Sequence, residues 1–324
     1  MKRHITRAYN SFSIDDSLGT ITKTSKENRL KNEINYYKQI CQIDNKCSVY
    51  FPRLLDSFES SEGYHMEIEY YAYDSLGDYM VFRKFDSAFW ESIAIGLQNA
   101  RKEFLKTKKL IHSPALISSM YIDKTEKYYH DLINNFDKFR AIAKKETLII
   151  NGEKYWNFEK IWDSVKKLIK DELLLVDNFS VIHGDFCFSN ILCGVNQKTG
   201  TTILKFIDPR GNFGVDGVFG DPLYDSAKLL HSYEGGYEYI IYDQFKVEED
   251  LIHNSYHIKF ANDNKDKISE IFAKITDFRS LKSKVIEGLI YLGMCSRHYD
   301  SINRQTAMYL NGIRILNEVL RKKI

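Results

Sequence analysis

The sequence predicts an α+β protein of two lobes, a small mixed N-terminal lobe and a larger, mainly helical C-terminal lobe. Three observations predict it. Strand-like and helix-like runs alternate over residues 1–73, whereas long Lys-rich stretches of helical period dominate after Asp86. The length of 324 residues exceeds one small core and suits two domains or lobes. Two short apolar runs then interrupt the helical part, ending at Ile182 and Ile207, each followed closely by an acid, Asp185 and Asp208.

In chain order, FSID and GTITK alternate around the turn cluster Asp15-Asp16-Ser17-Leu18-Gly19, so residues 1–25 read as short strands. Residues 26–42 place Leu30, Ile34, Tyr37 and Ile40 three and four apart, which predicts an amphipathic helix with Ser25 as its N-cap. Leu54 to Phe58 and Tyr64 to Tyr71 predict two strands joined by a Ser/Glu/Gly turn. Gly77 and Asp78 start the helical lobe, assigned residues 74–324. Its periodic stretches are 87–110, 120–145 and 155–177. VIHGD reads as a strand, ILCGVNQKTGTTILKFID as a hairpin, and PLYDSAKLLHS as a short helix. Tyr237 to Tyr242 reads as an aromatic-rich strand, and Leu281 to Cys295 and Ile302 to Leu320 as closing helices.

Composition narrows the function classes. With 44% hydrophobic and 28% charged residues the chain reads as soluble and globular. A net charge of +2 with mixed signs gives no ground for a nucleic-acid or anionic-membrane partner. The five cysteines are odd in number and form no CxxC pair, against a disulfide framework or zinc site. The N-terminal residues MKRHITRAYNSF contain no apolar run, and no stretch has the roughly 18 apolar residues of a spanning helix. The expected compartment is a reducing cytoplasm; the oligomeric state is left open.

The segment Val181 to Gly211 carries the chemistry. Acids where buried strands run out into loops present carboxylates to a cleft. Phosphoryl transfer needs a base near the attacking hydroxyl, oxygen ligands for Mg²⁺ and a cation on the phosphates. Asp185 at the first strand end can accept the hydroxyl proton. Asn190 can turn back across the loop with an amide oxygen, and Asp208 arrives after the hairpin as a second metal ligand. A turn with incidental acids is the bland alternative. Cys187 and Cys193 flank the loop and read as buried structural thiols rather than nucleophiles.

His183-Gly184-Asp185-x-x-x-x-Asn190, followed by Ile207-Asp208-x-x-Gly211, resembles the signature of the aminoglycoside phosphotransferase and choline kinase superfamily. The resemblance implies the bilobal protein-kinase-like fold and phosphorylation of small-molecule hydroxyls, with ATP or GTP as co-substrate and Mg²⁺ as cofactor. It implies Asp185 as catalytic base, Asn190 and Asp208 as Mg²⁺ ligands, and His183 as a structural loop residue. It also requires a phosphate-binding Lys on a small-lobe strand and a Glu on the next helix. Lys23 and Glu33 fit, with Lys26 and Lys31 as rivals for the first and Glu27 for the second.

No GxGxxG precedes Lys23; Ala8 to Ser13 stands there instead, with Ser11 or Ser13 as hydrogen-bond donors to phosphate. No Walker A sequence occurs. The hinge falls at Glu69-Tyr70-Tyr71, whose backbone would meet the base. The glycine-rich run Gly211 to Gly220 reads as a flexible loop over the cleft. In the next segment Asp225 either braces the catalytic loop or is merely an acid at a helix N-terminus. Acceptor candidates are Tyr121 and Lys124, Arg210, and Arg297, His298, Tyr299 and Asp300.

The extended motifs HGDFCFSNIL, FIDPRG and GDPLYDSAKLLHS look like a bacterial subgroup associated with capsule or lipopolysaccharide gene clusters. That resemblance implies a sugar, polyol or amino-alcohol acceptor. An aminoglycoside acceptor would call for an acidic pocket, and a choline-type one for an aromatic cage. A nucleotide-binding pseudokinase scaffold is the alternative of another class; the presence of Lys23, Asp185, Asn190 and Asp208 argues against it.

Overall fold

Alternation at the N-terminus produces a twisted antiparallel sheet with a helix packed on one face. The computed structural model describes residues 10–43, 45–111, 113–175, 178–196 and 198–321. Ala8 and Tyr9 of the expected phosphate loop, and 176–177 at the end of an expected helix, lie outside the described residues. Strands β1 (Asn10–Asp15) and β2 (Thr20–Ser25) lead into helix α1 (Asn28–Ile43), the short α2 (Asn45–Ser48), and strands β3 (Leu54–Ser60) and β4 (Gly63–Glu69). The sheet order is β1-β2-β4-β3. Leu30, Ile34, Tyr37 and Ile40 of α1 are buried, as their spacing predicts. The helix begins at Asn28, so Ser25 is not its N-cap; it ends β2, and its Oγ accepts from the Glu27 N–H.

β5 (Asp74–Ser75) carries the chain across to the larger lobe. It is followed by α3 (Leu76–Phe82), α4 (Ser87–Lys106), β6 (Lys109–Leu110) and α5 (Pro114–Ser118). Ser75 and Asp78 form a capping box at the start of α3. The expected helix over 120–145 is three pieces: a π-helical turn at Ser119–Asp123, α6 (Lys124–Asn135) and α7 (Asp137–Ala143). Phe136, in extended conformation, breaks it.

The next pair of strands, β7 (Thr147–Ile150) and β8 (Glu153–Trp156), precedes α8 (Phe158–Glu172). After β9 (Asn178–Val181), a 3₁₀ turn at Phe188–Asn190 leads to the hairpin β10 (Ile191–Val195) and β11 (Thr202–Phe206). β12 (Phe219–Gly220) precedes α9 (Pro222–Tyr233) and α10 (Tyr237–Ile241). The last of these is a helix where an aromatic strand was expected, because Gly236 in the left-handed region (φ 75°) turns the chain straight from α9 into a new helix. A second hairpin, β13 (Phe245–Asp250) and β14 (Ser255–Phe260), joins β7 and β8 in the order β13-β14-β7-β8. Helices α11 (Asn264–Ile275), α12 (Leu281–Cys295) and α13 (Ile302–Leu320) close the chain.

An apolar cluster runs without a break from α1 of the sheet lobe to the segments that carry the acids. Phe51 stacks on His183 at 6.0 Å between ring centroids, and His183 on Phe186 at 5.4 Å. A second cluster, built from α6, α8, α12 and α13, supports the far wall of the cleft. Among the described residues no helix is long and apolar enough to cross a membrane.

Candidate active site

The sheet register decides which side chains meet the cleft. Residues directly opposite each other in an antiparallel pair share a face. Phe12 pairs with Lys23, and Lys23 with Met66. Lys23 therefore points to the α1 side, where its ammonium donates to Glu33 Oε2 at 2.7 Å and to Asp208 Oδ1 at 2.8 Å. Lys23 and Glu33 are both buried, whereas Lys26, Glu27 and Lys31 are exposed. Ser11 and Ser13 pair with Thr24 and Thr22, so their side chains lie on the opposite face from Lys23. The side chain that shares Lys23's face is Phe12, whose ring lies 5.8 Å from the ammonium.

The two acid-bearing segments are stitched together by backbone. The Ile207 N–H donates to Asn190 O at 3.0 Å and the Arg210 N–H to His183 O at 2.8 Å. His183 is fully buried and bridges them: its Nδ1 accepts the Asp185 N–H (3.2 Å), which leaves Nε2 to donate to Ile207 O (2.9 Å). Burial pushes its pKa down to about 4, so the ring is neutral at neutral pH. Both oxygens of Asp225 accept backbone N–H bonds, from His183 at 2.6 Å and Gly184 at 2.8 Å. Asp225 thus touches the loop directly, although it also lies in the first turn of α9.

Asp208 adopts φ 56°, a left-handed conformation that a non-glycine residue holds only where the surroundings impose it. Burial raises its pKa, but the Lys23 ammonium outweighs that and holds the carboxyl down at about 2. Gly211 also has positive φ, and a Cβ there would strike the Asn32 carbonyl of α1, so the loop after Asp208 rests against the sheet lobe's helix. The rest of Gly211 to Gly220 is anchored rather than loose: Phe213 is buried and Phe219 pairs with Val181.

Asp185 Oδ1 lies 2.9 Å from the Lys228 ammonium, and Oδ2 lies 3.4 Å from Arg29. Burial raises the Asp185 pKa, but Lys228, Arg29 and, more weakly, Arg210 override it and hold the carboxyl well below the usual carboxylate range. The Asn190 amide nitrogen donates to Asp185 O at 2.8 Å, which leaves Oδ1 as the free end of that amide. Sequence reasoning missed Lys228 and Arg29. A lysine among apolar residues in SAKLLHS was a readable signal for the first; Arg29, in a Lys/Glu-rich run, offered none. Burial pushes the Cys187 and Cys193 thiols up to about 12, so neither is an activated nucleophile.

Beyond Asp185 opens a cleft of about 390 Å³. Lys124, Arg210 and Arg297 line it. Tyr121 lines it with its ring, but its hydroxyl is spent on Asp221 at 2.7 Å. His298, Tyr299 and Asp300 are not among the lining residues: His298 packs edge-on against Tyr237, Tyr299 is exposed, and Asp300 pairs with Arg304. At the expected hinge, the Tyr70 N–H is bonded to Gly19 O and the Glu69 N–H to Arg53 O. The Glu69 carboxylate binds Arg53 and the Tyr71 hydroxyl.

This architecture has known counterparts, although no family model and no curated protein matches the chain in sequence. A point mutant of aminoglycoside 2'-phosphotransferase-IIIa in its GDP complex aligns over 98% of this chain and 90% of its own, with a TM-score of 0.55 at 13% identity. The wild-type GDP complex of that protein aligns over 98% and 91%, with a TM-score of 0.49 at 13% identity. An aminoglycoside phosphotransferase bound to streptomycin and ATP aligns over 98% and 89%, with a TM-score of 0.47 at 13% identity. The chain has the two-lobed, kinase-like fold of the first of these.

Proposed function

We propose that the protein is a small-molecule kinase that transfers the γ-phosphoryl group of ATP or GTP to a hydroxyl of a sugar, polyol or amino alcohol. The observation that carries this reading is the Lys23–Glu33–Asp208 cluster, which ties the sheet lobe to the loop after β11, with Asp185 lining the cleft. The GDP bound by the fold neighbour supports a nucleoside phosphate as the other substrate. In this reading residues 1–73 hold the nucleotide and 74–324 carry the catalytic loop and acceptor pocket. The crossing strand β5, which pairs with β10, supports that boundary.

Each residue has a job that its geometry suits. Glu33 holds Lys23 in place, and Lys23 orients the phosphates. Asn190 Oδ1 and the Asp208 carboxylate form an oxygen donor set of the kind Mg²⁺ takes, which usually has one or two carboxylates and completes its shell with phosphate and water. Among the described residues there is no group of three or more His, Cys, Asp or Glu to suit a metal caged wholly by protein. A bound Mg²⁺ would supply charge neutralisation across the β- and γ-phosphates. The acceptor oxygen forms a bond to the γ-phosphorus as the bond from that phosphorus to the β–γ bridging oxygen breaks. The nucleoside diphosphate departs, and the hydroxyl proton passes to Asp185. With so low a pKa, Asp185 takes the proton late, once the oxygen is bonded to phosphorus and acidic; before that it orients the hydroxyl. His183 and Asp225 hold the loop.

The motif resemblance to capsule- and lipopolysaccharide-associated kinases is the ground for proposing an acceptor used in surface-polysaccharide synthesis. An aminoglycoside acceptor is the second reading, favoured by the fold neighbour's name and opposed by the cationic lining of the cleft. The test is Mg²⁺-dependent binding of ATP and GTP by calorimetry. Binding weakened at least about tenfold by Lys23→Met and made Mg²⁺-insensitive by Asp208→Asn is expected. A wild-type protein that binds neither nucleotide refutes the proposal.

A further inference from the structure

The cleft beyond Asp185 holds an excess of positive charge. Arg29, Lys124, Arg210, Lys228 and Arg297 line it, and among the described residues Asp185 supplies the only carboxylate of the lining. Lys228 and Arg29 are paired to that carboxylate. Lys124, Arg210 and Arg297 have no carboxylate partner among the described residues. Arg210 Nη1 donates to the Tyr224 hydroxyl at 3.3 Å and Arg297 Nη2 to the Tyr128 hydroxyl at 2.6 Å, with the Arg297 guanidinium 5.1 Å from the Tyr128 ring centre. Phenols orient these guanidinium groups without neutralising them.

Cations that converge on a concave, partly desolvated surface are costly unless a counter-charge arrives. The nucleotide does not account for Lys124 and Arg297, because Lys23, Glu33, Asn190 and Asp208 are all outside the cleft lining. Lys124 and Arg297 come instead from the start of α6 and the turn after α12, on the helical side of Asp185. The π-helical turn at Ser119–Asp123 immediately precedes Lys124, and such turns are frequent at functional sites. Burial, followed by the charges of Arg210, Arg297 and Lys228, pushes the Lys124 pKa down to about 6, so without a counter-charge this amine is mostly neutral at pH 7 and the standing positive excess is carried by the arginines and Lys228. An incoming anion would reverse this, whereas a polycation would depress the pKa further.

We propose that the acceptor is a hydroxyl compound bearing a second, oxyanionic group, a phosphate monoester or a carboxylate, bound by Lys124, Arg210 and Arg297 while its hydroxyl meets Asp185. The hydroxyl half of this statement rests on the kinase reading; the anion site does not. A cleft of about 390 Å³ is at the lower end of the roughly 300–1,000 Å³ of small-molecule sites, which suits one compact charged acceptor.

The experiment has two arms. In the first, inorganic phosphate is titrated at low salt and pH 7 into protein saturated with Mg²⁺ and a non-hydrolysable triphosphate, in two buffers of different ionisation enthalpy. One site with a Kd below about 1 mM is expected, with proton uptake contributed by Lys124. Lys124→Met abolishes the uptake and weakens phosphate at least about tenfold, Lys124→Arg restores affinity, and Arg297→Gln weakens it. The affinity of each variant for the triphosphate reports that it is folded. Absence of phosphate binding, or binding indifferent to these substitutions, overturns the proposal. In the second arm, matched acceptors are offered with Mg²⁺-ATP and Mg²⁺-GTP: phosphorylated polyols, sugar acids, their neutral parents and aminoglycosides. Turnover confined to one of the two anionic classes supports the proposal and identifies the oxyanion. Turnover confined to neutral or cationic acceptors overturns it and leaves the kinase reading standing. Phosphate binding without nucleotide binding sinks the kinase reading and leaves the anion site standing.

Discussion

The Lys228 ammonium, with its side chain almost wholly buried, lies 2.9 Å from Asp185 Oδ1. A proposed catalytic carboxylate is thus clamped by a cation from α9 before any substrate arrives. The pairing keeps Asp185 ionised: its folded pKa lies below its unfolded value, so the stability it adds is present above the unfolded value and lost only as pH falls through the folded one.

Lys228→Met removes the larger of the two counter-charges. Burial then pushes the Asp185 pKa upward against Arg29 and the weaker influence of Arg210. The wild-type pH–rate profile has no acid limb from Asp185, whereas the variant gains one at higher pH, and its kcat falls about 10²-fold. Steady-state rates between pH 5 and 9 check this. A variant profile parallel to the wild type would mean that Lys228 only fills space.

The Lys23 ammonium bonds both Glu33 and Asp208, so its removal and that of Glu33 differ in effect. Lys23→Met should lower kcat by about 10²–10³-fold and weaken nucleotide. Glu33→Gln keeps the Lys23–Asp208 bond and should cost about tenfold or less in rate. Comparison of kcat and nucleotide Kd for the two variants checks the order.

Asp225 accepts two backbone N–H bonds from the catalytic loop, and an asparagine side chain has only one oxygen to offer. Asp225→Asn should therefore leave a buried N–H facing an amide nitrogen. The expected cost is about 1–3 kcal/mol of stability and a larger fall in kcat than in nucleotide affinity. Denaturant unfolding and calorimetry measure the two effects separately.

His231 is fully buried against Tyr237 and Tyr291, and neither ring nitrogen has a hydrogen-bond partner among the described residues. Burial holds its pKa well below 6.5, so folding opposes its protonation and stability falls as pH drops below 6.5. His231→Phe keeps the ring and removes the titration. The variant should match or exceed wild type at pH 7 and gain about 1–2 kcal/mol more relative to it at pH 5. Thermal unfolding across that range checks the slope.

Asp185, Asn190 and Asp208 are readable in the sequence because each sits at a fixed place in a short local pattern, whereas Lys23 and Glu33 are singled out from their neighbours, and Asp225 from a plain helix-start acid, only by contacts across the fold. The sheet lobe and the closing helices are readable for the same reason: their periodicity is local. Ser11 and Ser13 are misplaced by composition alone, since only the Phe12–Lys23 register fixes which face a strand residue occupies. The sheet of β7, β8, β13 and β14 escapes because β7 and β14 pair across about a hundred residues of chain. Lys124, Arg210 and Arg297 are readable as acceptor candidates, whereas Arg29 and Lys228 escape because they come from α1 and α9, separate segments that only tertiary packing brings to the cleft.

The most direct measurement of the central proposal is single-turnover phosphate transfer by wild type and Asp185→Ala, with Mg²⁺-nucleotide affinity measured on the same samples. The variant is expected to bind nucleotide within a few-fold of wild type and to transfer at least about 10³-fold more slowly. Transfer by Asp185→Ala at the wild-type rate would contradict the proposal.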